Sequence, residues 1–100
     1  MVAGRKWFFV TSHAIVLIQV AREPDATVRE LADRAGLTER QTHRILADLV
    51  EDGYVMRTRV GRRNTYRVDA GRPMRHPVVA GSVIGDLLDA LTPHAGVRAS

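Results

Sequence analysis

The chain has 100 residues, a formal net charge of +4 and no cysteine, and all but one of its 15 basic residues are arginine. This length suits one domain, or one domain with an appended helix. Without cysteine there is no disulfide, thiolate metal site or cysteine nucleophile. The longest apolar run, residues 14–18, is too short to span a bilayer and no signal peptide is evident, so we expect a soluble intracellular protein.

The first eleven residues form an N-terminal segment with the largest apolar side chains, Trp7, Phe8 and Phe9. These side chains are too apolar to remain exposed, so we expect the segment to pack on the domain core or on a partner subunit. The alternative is a basic arm in which Arg5 and Lys6 contact phosphate.

A first helix is predicted from His13 to about Arg22, with Ser12 as its cap and Pro24 just past its end. Its middle, residues 14–18, is apolar almost all round. A surface helix needs only one apolar stripe. One side should therefore pack on the helices that follow, and the other needs a second cover, either a C-terminal helix or a dimer partner.

The next stretch predicts a short capped helix that ends in a tight turn. Thr27 and Glu30 have the spacing of a capping box, which predicts a helix over residues 28–35. Gly36 can adopt a positive φ at little cost, so it can end the helix and redirect the chain. The apolar positions recur at spacings of three and four and form one stripe: Val28, Leu31, Ala32 and Ala35.

A second capped helix begins directly after this turn. Thr38 and Gln41 repeat the capping-box spacing, and the helix runs to about Asp52, where Gly53 stops it. Its apolar stripe consists of Ile45, Leu46, Leu49 and Val50. The opposite face is polar near the helix start and consists of Glu39, Arg40, Gln41, His43 and Arg44.

Such a face suits the major groove of DNA. Arginine can donate two hydrogen bonds to guanine, glutamine can pair with adenine, and a helix N-terminus attracts phosphate. Two capped helices around a glycine turn also occur in bundles that have no DNA partner, so this alternative stays open.

A basic β-hairpin is predicted next, with strands over residues 54–60 and 65–68 and a turn over residues 61–64. We expect two arginines at its tip. The stretch from Arg57 to Arg75 holds seven arginines and one acid, Asp69. Like charges repel, so this cluster favours a polyanion lying opposite. The alternative is a hairpin whose charges are merely solvated.

Residues 70–77 contain two prolines and a glycine and are predicted to be a linker. A last helix is predicted over residues 78–92, followed by a tail over 93–100. Its apolar positions recur at helical spacing: Ala80, Val83, Ile84, Leu87, Leu88 and Leu91. Gly81 and Gly85 each cost about 1 kcal/mol in a helix interior, which favours the close approach of a neighbouring helix.

This order of elements resembles the winged helix-turn-helix regulators of the MarR-like and ArsR-like bacterial families. The matching residues are L-A-D-R-A-G-L-T over 31–38 and T-H-R-I-L-A-D-L-V-E-D-G-Y-V over 42–55. The resemblance covers residues 12–69. It implies a mainly α fold with a small β-hairpin: a three-helix core, a wing and a C-terminal dimerisation helix. One departure is Thr42, where the family usually has an apolar residue.

By position, the resemblance implies that Thr38 contacts phosphate and that the wing tip reaches the minor groove or its flanking phosphates. The candidate DNA-binding residues are Thr38, Glu39, Arg40, Gln41, His43, Arg44, Arg59, Arg62, Arg63 and Asn64. The candidate residues of a dimer interface are Trp7, Phe8, Phe9, Val83, Ile84, Leu87, Leu88 and Leu91.

The resemblance implies a homodimeric transcriptional repressor that reads a palindromic operator in double-stranded DNA. The 38–52 helix would enter the major groove and the 61–64 wing would lie at the minor groove or backbone, in a cytoplasmic, nucleoid-associated protein without a cofactor. An effector would have to bind between the helices or at the dimer seam. The alternatives are a winged-helix protein-interaction module and a non-specific chromosome-binding protein.

An enzyme is not expected, because the sequence has no Gly-rich phosphate loop, paired-carboxylate constellation or nucleophile motif. Its four histidines are scattered and include no short ligand pair. Asp86, Asp89 and His94 form an incomplete version of the zinc pattern of some ArsR-like repressors, so we expect no metal site.

Overall fold

The computed structural model describes residues 7–91, which leaves the proposed Arg5 and Lys6 arm and the predicted tail outside the described residues. The elements in chain order are α1 (Ser12–Arg22), α2 (Val28–Ala35), α3 (Glu39–Glu51), β1 (Val55–Val60), β2 (Arg63–Val68), a 3₁₀ turn (Pro77–Val79) and α4 (Ile84–Leu91). The fold is the mainly helical winged helix-turn-helix that the sequence predicts. None of the helices described in residues 7–91 is long and apolar enough to cross a membrane.

Both predicted capping boxes form, and they position α2 and α3. The Thr27 hydroxyl accepts a hydrogen bond from the Glu30 N–H at 3.1 Å, while the Thr27 N–H donates to the Glu30 carboxylate at 2.8 Å. Gly36 adopts a φ of 71° and ends α2. The bounds of α2 are confirmed at both ends, and α3 ends one residue earlier than predicted because Asp52 is its C-cap.

The core lies around α1, which contacts α2, α3, β2 and α4. Its buried residues come from every element of the fold except the 3₁₀ turn: Val16, Leu17, Val20, Leu31, Ile45, Leu46, Leu49, Val55, Tyr66 and Ile84. The predicted second cover of the first helix is therefore α4 of the same chain. Thr11, rather than Ser12, caps α1, because its hydroxyl accepts from the Ala14 N–H at 3.2 Å.

The turn of the hairpin is shorter than the sequence predicts. Val60 pairs with Arg63 and Arg59 pairs with Asn64, so only Gly61 and Arg62 remain in the turn. Gly61 has a φ of 63°, which suits a type II′ turn with glycine at its first central position. The predicted four-residue turn is wrong, because Arg63 and Asn64 extend the ladder of β2.

The C-terminal helix is also shorter than predicted and begins at Ile84 rather than at residue 78. The Met74 N–H donates to the Ser82 carbonyl at 3.0 Å, the Ile84 N–H to Arg72 at 2.9 Å and the Gly85 N–H to Ala70 at 2.8 Å. The segment expected to be a linker therefore pairs with the start of the expected helix. The N–H groups of Ile84 and Gly85, which a longer helix would have bonded internally, are used in these pairings.

Of the two glycines in the predicted helix, only Gly85 has a close neighbour. A Cβ at Gly85 would lie 3.1 Å from the Ala70 carbonyl oxygen, whereas one at Gly81 would meet no atom within 4 Å. The close approach is made by the irregular segment after β2 and not by a helix.

The aromatic residues before α1 do not pack on the core. Trp7, Phe8 and Phe9 are 57%, 83% and 95% exposed, and the rings of Trp7 and Phe9 meet edge to face at 5.1 Å. The expectation that this segment covers the core of its own chain is therefore wrong. Packing on a partner subunit stays a prediction.

Candidate nucleic-acid interface

The α3 helix divides into a buried side and an exposed polar edge. Its buried residues are Thr42, Ile45, Leu46 and Leu49. The predicted groove-facing residues are all exposed: Glu39, Arg40, Gln41, His43 and Arg44. Within residues 7–91, the side chains of Arg40, His43 and Arg44 have no hydrogen-bond or ion-pair partner. Their donors are therefore available to another molecule.

Two residues on this edge are already engaged within the chain. The Glu39 carboxylate lies 3.3 Å from the guanidinium of Arg29 on α2, which offsets the negative charge at the start of α3. The Oε1 atom of Gln41 accepts from the Thr38 N–H at 2.9 Å. Pairing of glutamine with adenine needs both its oxygen and its nitrogen, so Gln41 offers only its N–H donors while the cap is formed.

Thr42, which departs from the resemblance, is fully buried. Its hydroxyl donates to the Thr38 carbonyl at 2.9 Å, the same oxygen that accepts the Thr42 N–H. The polar group is thus satisfied within the first turns of the helix, and the methyl group can occupy the position of an apolar residue.

The two faces of the hairpin differ in character. Cross-strand partners share a face, so Arg57, Arg59 and Asn64 lie on the face that carries the core residues Val55 and Tyr66. A second set of residues occupies the opposite face: Met56, Thr58, Val60, Arg63, Thr65 and Arg67. Arg57 was not among the predicted contacts. The period-two alternation from Val55 is the signal that would have found it.

A cleft joins the polar edge of α3 to the hairpin. Its volume is about 190 Å³, and it is lined by Thr27, Val28, His43, Arg63, Asn64 and Tyr66. It brings together His43 of α3, residues of β2 and the start of α2. We call it the helix–wing cleft. The polar edge of α3 and the hairpin therefore both border this cleft and do not lie on opposite sides of the molecule.

The arginines of the hairpin are held to different degrees. Arg62 lies in the turn, exposed and without a side-chain partner among residues 7–91. The Arg59 guanidinium donates to the Gly61 carbonyl at 3.2 Å. Arg63 donates to the Asp25 carbonyl at 2.5 Å, in the connection between α1 and α2. Arg62 is thus the freest cation at the tip, while Arg63 also holds the hairpin to the helices.

A family model of the MarR family matches residues 11–63. The chain belongs to the MarR family. The match begins at the Thr11 cap of α1, includes α2 and α3, and ends at the first residue of β2. Family membership indicates a DNA-binding transcription regulator and not an enzyme. No curated protein matches this MarR-family chain, and the ArsR-like part of the resemblance stays a prediction.

The predicted dimer-interface residues of this MarR-family chain differ in their accessibility. Ile84 is only 6% exposed and packs in the core of its own chain, so it is not available to a partner in this conformation. Val83, Leu87 and Leu88 are half-buried, and Leu91 is exposed. Among the predicted interface residues, the more accessible are thus Leu91 on α4 and the aromatic residues before α1.

No group of three or more His, Cys, Asp or Glu residues is placed to hold a metal ion in the part of the chain from 7 to 91. His94, the third member of the incomplete zinc pattern, lies outside the described residues. Asp86 caps the start of α4 instead, since its carboxylate accepts from the Val83 N–H at 3.1 Å.

Proposed function

We propose that this protein is a sequence-specific regulator that binds double-stranded DNA as a homodimer and represses transcription from a palindromic operator. The observation that carries the proposal is the shared border of two basic surfaces at the helix–wing cleft. On one side are Arg40, His43 and Arg44 of α3, whose side chains have no partner among residues 7–91. On the other side is the hairpin with its arginines.

The α3 helix enters the major groove in this proposal. Arg40 and Arg44 lie four residues apart, so they project from the same side of the helix. Each can donate two hydrogen bonds to a guanine. Gln41 contributes only N–H donors, because its oxygen completes the cap. The Thr38 end of α3 faces the backbone, where a helix N-terminus attracts phosphate.

The wing contacts phosphates or the minor groove. Arg62 at the tip has no partner within residues 7–91, and Arg57 and Arg59 share the face that carries core residues. Phosphate contacts of this kind position a protein on the duplex without reading sequence. We therefore assign affinity mainly to the wing and base preference mainly to α3.

Dimerisation is supported by apolar surface that the single chain leaves uncovered. Phe8 and Phe9 are almost fully exposed, and Leu91 is 38% exposed. A two-fold dimer would place two α3 helices about 34 Å apart, in successive major grooves. Such a dimer would occlude a promoter in the cytoplasm, associated with the nucleoid. A small-molecule effector would bind between helices or at the dimer seam, and no cofactor is needed.

Selection of bound duplexes from a random pool tests the proposal, with the mass of the protein–DNA complex measured alongside. We expect an enriched palindrome, a mass of two chains per duplex, and an affinity at least about 10³-fold above that for random duplex at physiological salt. Equal affinity for selected and random duplexes would instead indicate a non-specific chromosome-binding protein. No binding to either would favour a protein-interaction module.

A further inference from the structure

We propose that the helix–wing cleft seats one phosphate group of the DNA backbone and that the Tyr66 hydroxyl donates a hydrogen bond to it. This inference rests on the proposed function and adds a residue that the sequence does not single out. Tyr66 is an apolar-looking core position on β2, in contact with the helices. Its hydroxyl is the feature that the core does not explain.

Tyr66 is a largely buried residue whose hydroxyl has no partner within the described part of the chain. The residue is 6% exposed, and its side chain makes no hydrogen bond with any residue between Trp7 and Leu91. Burying a hydroxyl without a hydrogen bond is unfavourable, so a tyrosine at this position is better explained by a ligand that accepts from it. Phenylalanine would fill the same space at lower cost.

Tyr66 borders the cleft on the face of β2 that carries its side chain. Asn64, which shares that face, lines the same cleft, and Arg63 joins the lining from the end of the strand. Tyr66 also borders a second pocket, but the other hairpin residues that line that pocket belong to the opposite face. Because alternate residues of a strand face the same side, we assign the Tyr66 side chain to the helix–wing cleft, which opens to solvent beside α3.

The groups around the cleft favour an anion. His43, Arg63 and Asn64 carry N–H donors, and the N–H of Val28, in the first turn of α2, has no intrahelical partner. The N-terminus of α2 adds a partial positive charge. The nearest acid on α2 is Glu30, whose carboxylate already accepts from the Thr27 N–H and hydroxyl.

The size of the cleft agrees with a phosphate group. Its volume is about 190 Å³, and about 10–15 Å³ of such space already holds one water molecule. The cleft therefore has room for a phosphodiester together with several waters. The position between the wing and the edge of α3 favours a backbone phosphate of a duplex whose major groove holds α3.

The test asks whether removing the Tyr66 hydroxyl and neutralising one backbone phosphate affect the same interaction. Binding of the full chain to the selected duplex is measured with a neutral methylphosphonate placed at each backbone position in turn, for the parent protein and for Tyr66→Phe. We expect Tyr66→Phe to weaken binding to the unmodified duplex about tenfold, the effect of losing a hydrogen bond to a charged group. At one position in each half-site, the methylphosphonate should weaken the parent but have little further effect on the variant.

Tyr54→Phe is the matched control, because Tyr54 packs against the same core and does not line the cleft. It should leave DNA binding unchanged. The unfolding midpoint of free Tyr66→Phe should not fall, since the hydroxyl has no hydrogen bond to lose within residues 7–91. A lower midpoint with unchanged DNA affinity would assign the hydroxyl a structural role and overturn the inference.

Three further outcomes overturn the inference and are distinguishable from one another. If the parent binds DNA but Tyr66→Phe shows the same loss as the parent at every methylphosphonate, the inference fails and the proposed function stands. If the parent binds no duplex, both fail. The same chemistry could come from a free anion, so inorganic phosphate is titrated at constant ionic strength without DNA. Saturable binding that Tyr66→Phe abolishes, with no coupling on DNA, would overturn the inference and assign the cleft to a free anion.

Discussion

The guanidinium of Arg29 on α2 lies 3.3 Å from the carboxylate of Glu39 in the first turn of α3. The two side chains are 78% and 52% exposed, so we expect the pair to contribute less than about 1 kcal/mol to folding. The main effect of the pair is electrostatic. Arg29 offsets the negative charge of Glu39, the one acid on the polar edge of α3, and is itself engaged by that contact.

Glu39→Gln should therefore strengthen DNA binding. The substitution removes a negative charge from the proposed interface and frees Arg29 for a phosphate, so affinity for all duplexes should rise by roughly a factor of a few, with a steeper dependence on salt. Fluorescence anisotropy over a salt series measures both quantities. Unchanged or weaker binding would show that Glu39 does not face the DNA.

Gln41→Glu should separate the role of this side chain in the cap from its role at the interface. Glutamate completes a capping box as well as glutamine does, so thermal unfolding should be unchanged. The added negative charge should weaken DNA binding. Thr38→Ala is the contrasting variant, which should cost about 1 kcal/mol of stability because the N-cap is removed. If Gln41→Glu binds DNA as well as the parent, this part of α3 is remote from phosphate.

Arg57→Ala and Arg67→Ala compare the two faces of the hairpin with the same chemical change. Both arginines are exposed on neighbouring strands, on opposite faces. Arg57→Ala should weaken binding to every duplex and reduce the slope of log K against log salt by about 0.9 for each phosphate that the protein no longer neutralises. Arg67→Ala should change the slope little. Equal effects of the two variants would mean that the hairpin is oriented differently on the DNA.

Gly53→Ala should destabilise the fold. Gly53 has a φ of 84°, and a Cβ there would lie 2.8 Å from the guanidinium carbon of Arg72. A residue with a side chain in this conformation costs about 1–2 kcal/mol, and Arg72 would also have to move. Gly81→Ala is the control, because Gly81 has open space around it. Urea unfolding should show a clear loss of stability for Gly53→Ala alone, and equal midpoints for the two variants would contradict this account.

The sequence predicted the helix pair best, because its signals are local. Each capping box is completed within four residues, and Gly36 ends α2 through its own φ. These helix boundaries can be placed without knowing any contact between residues that are far apart in the sequence. The same holds for the exposed edge of α3, which follows from the apolar stripe on its other side.

The predictions that were wrong concern segments whose structure depends on backbone far away in the sequence. The start of α4 depends on pairing of residues 82–85 with residues 70–74, which helical periodicity does not reveal. The two-residue turn depends on the register of β1 with β2. The helix–wing cleft, with Tyr66 in its wall, combines three elements that are separate in the chain. None of these could be predicted from spacing alone.

The packed segment after β2 has a consequence for the spacing of half-sites that a dimer would accept. Ala70 and Arg72 hold the start of α4, and the Arg22 guanidinium donates to the Leu91 carbonyl at 3.1 Å at its end. If α4 carries the dimer contact, the distance between the two α3 helices of the dimer is then fixed by the packing of each chain. One base pair inserted between the half-sites would rotate the second half-site by about a tenth of a helical turn, away from the α3 helix that binds it.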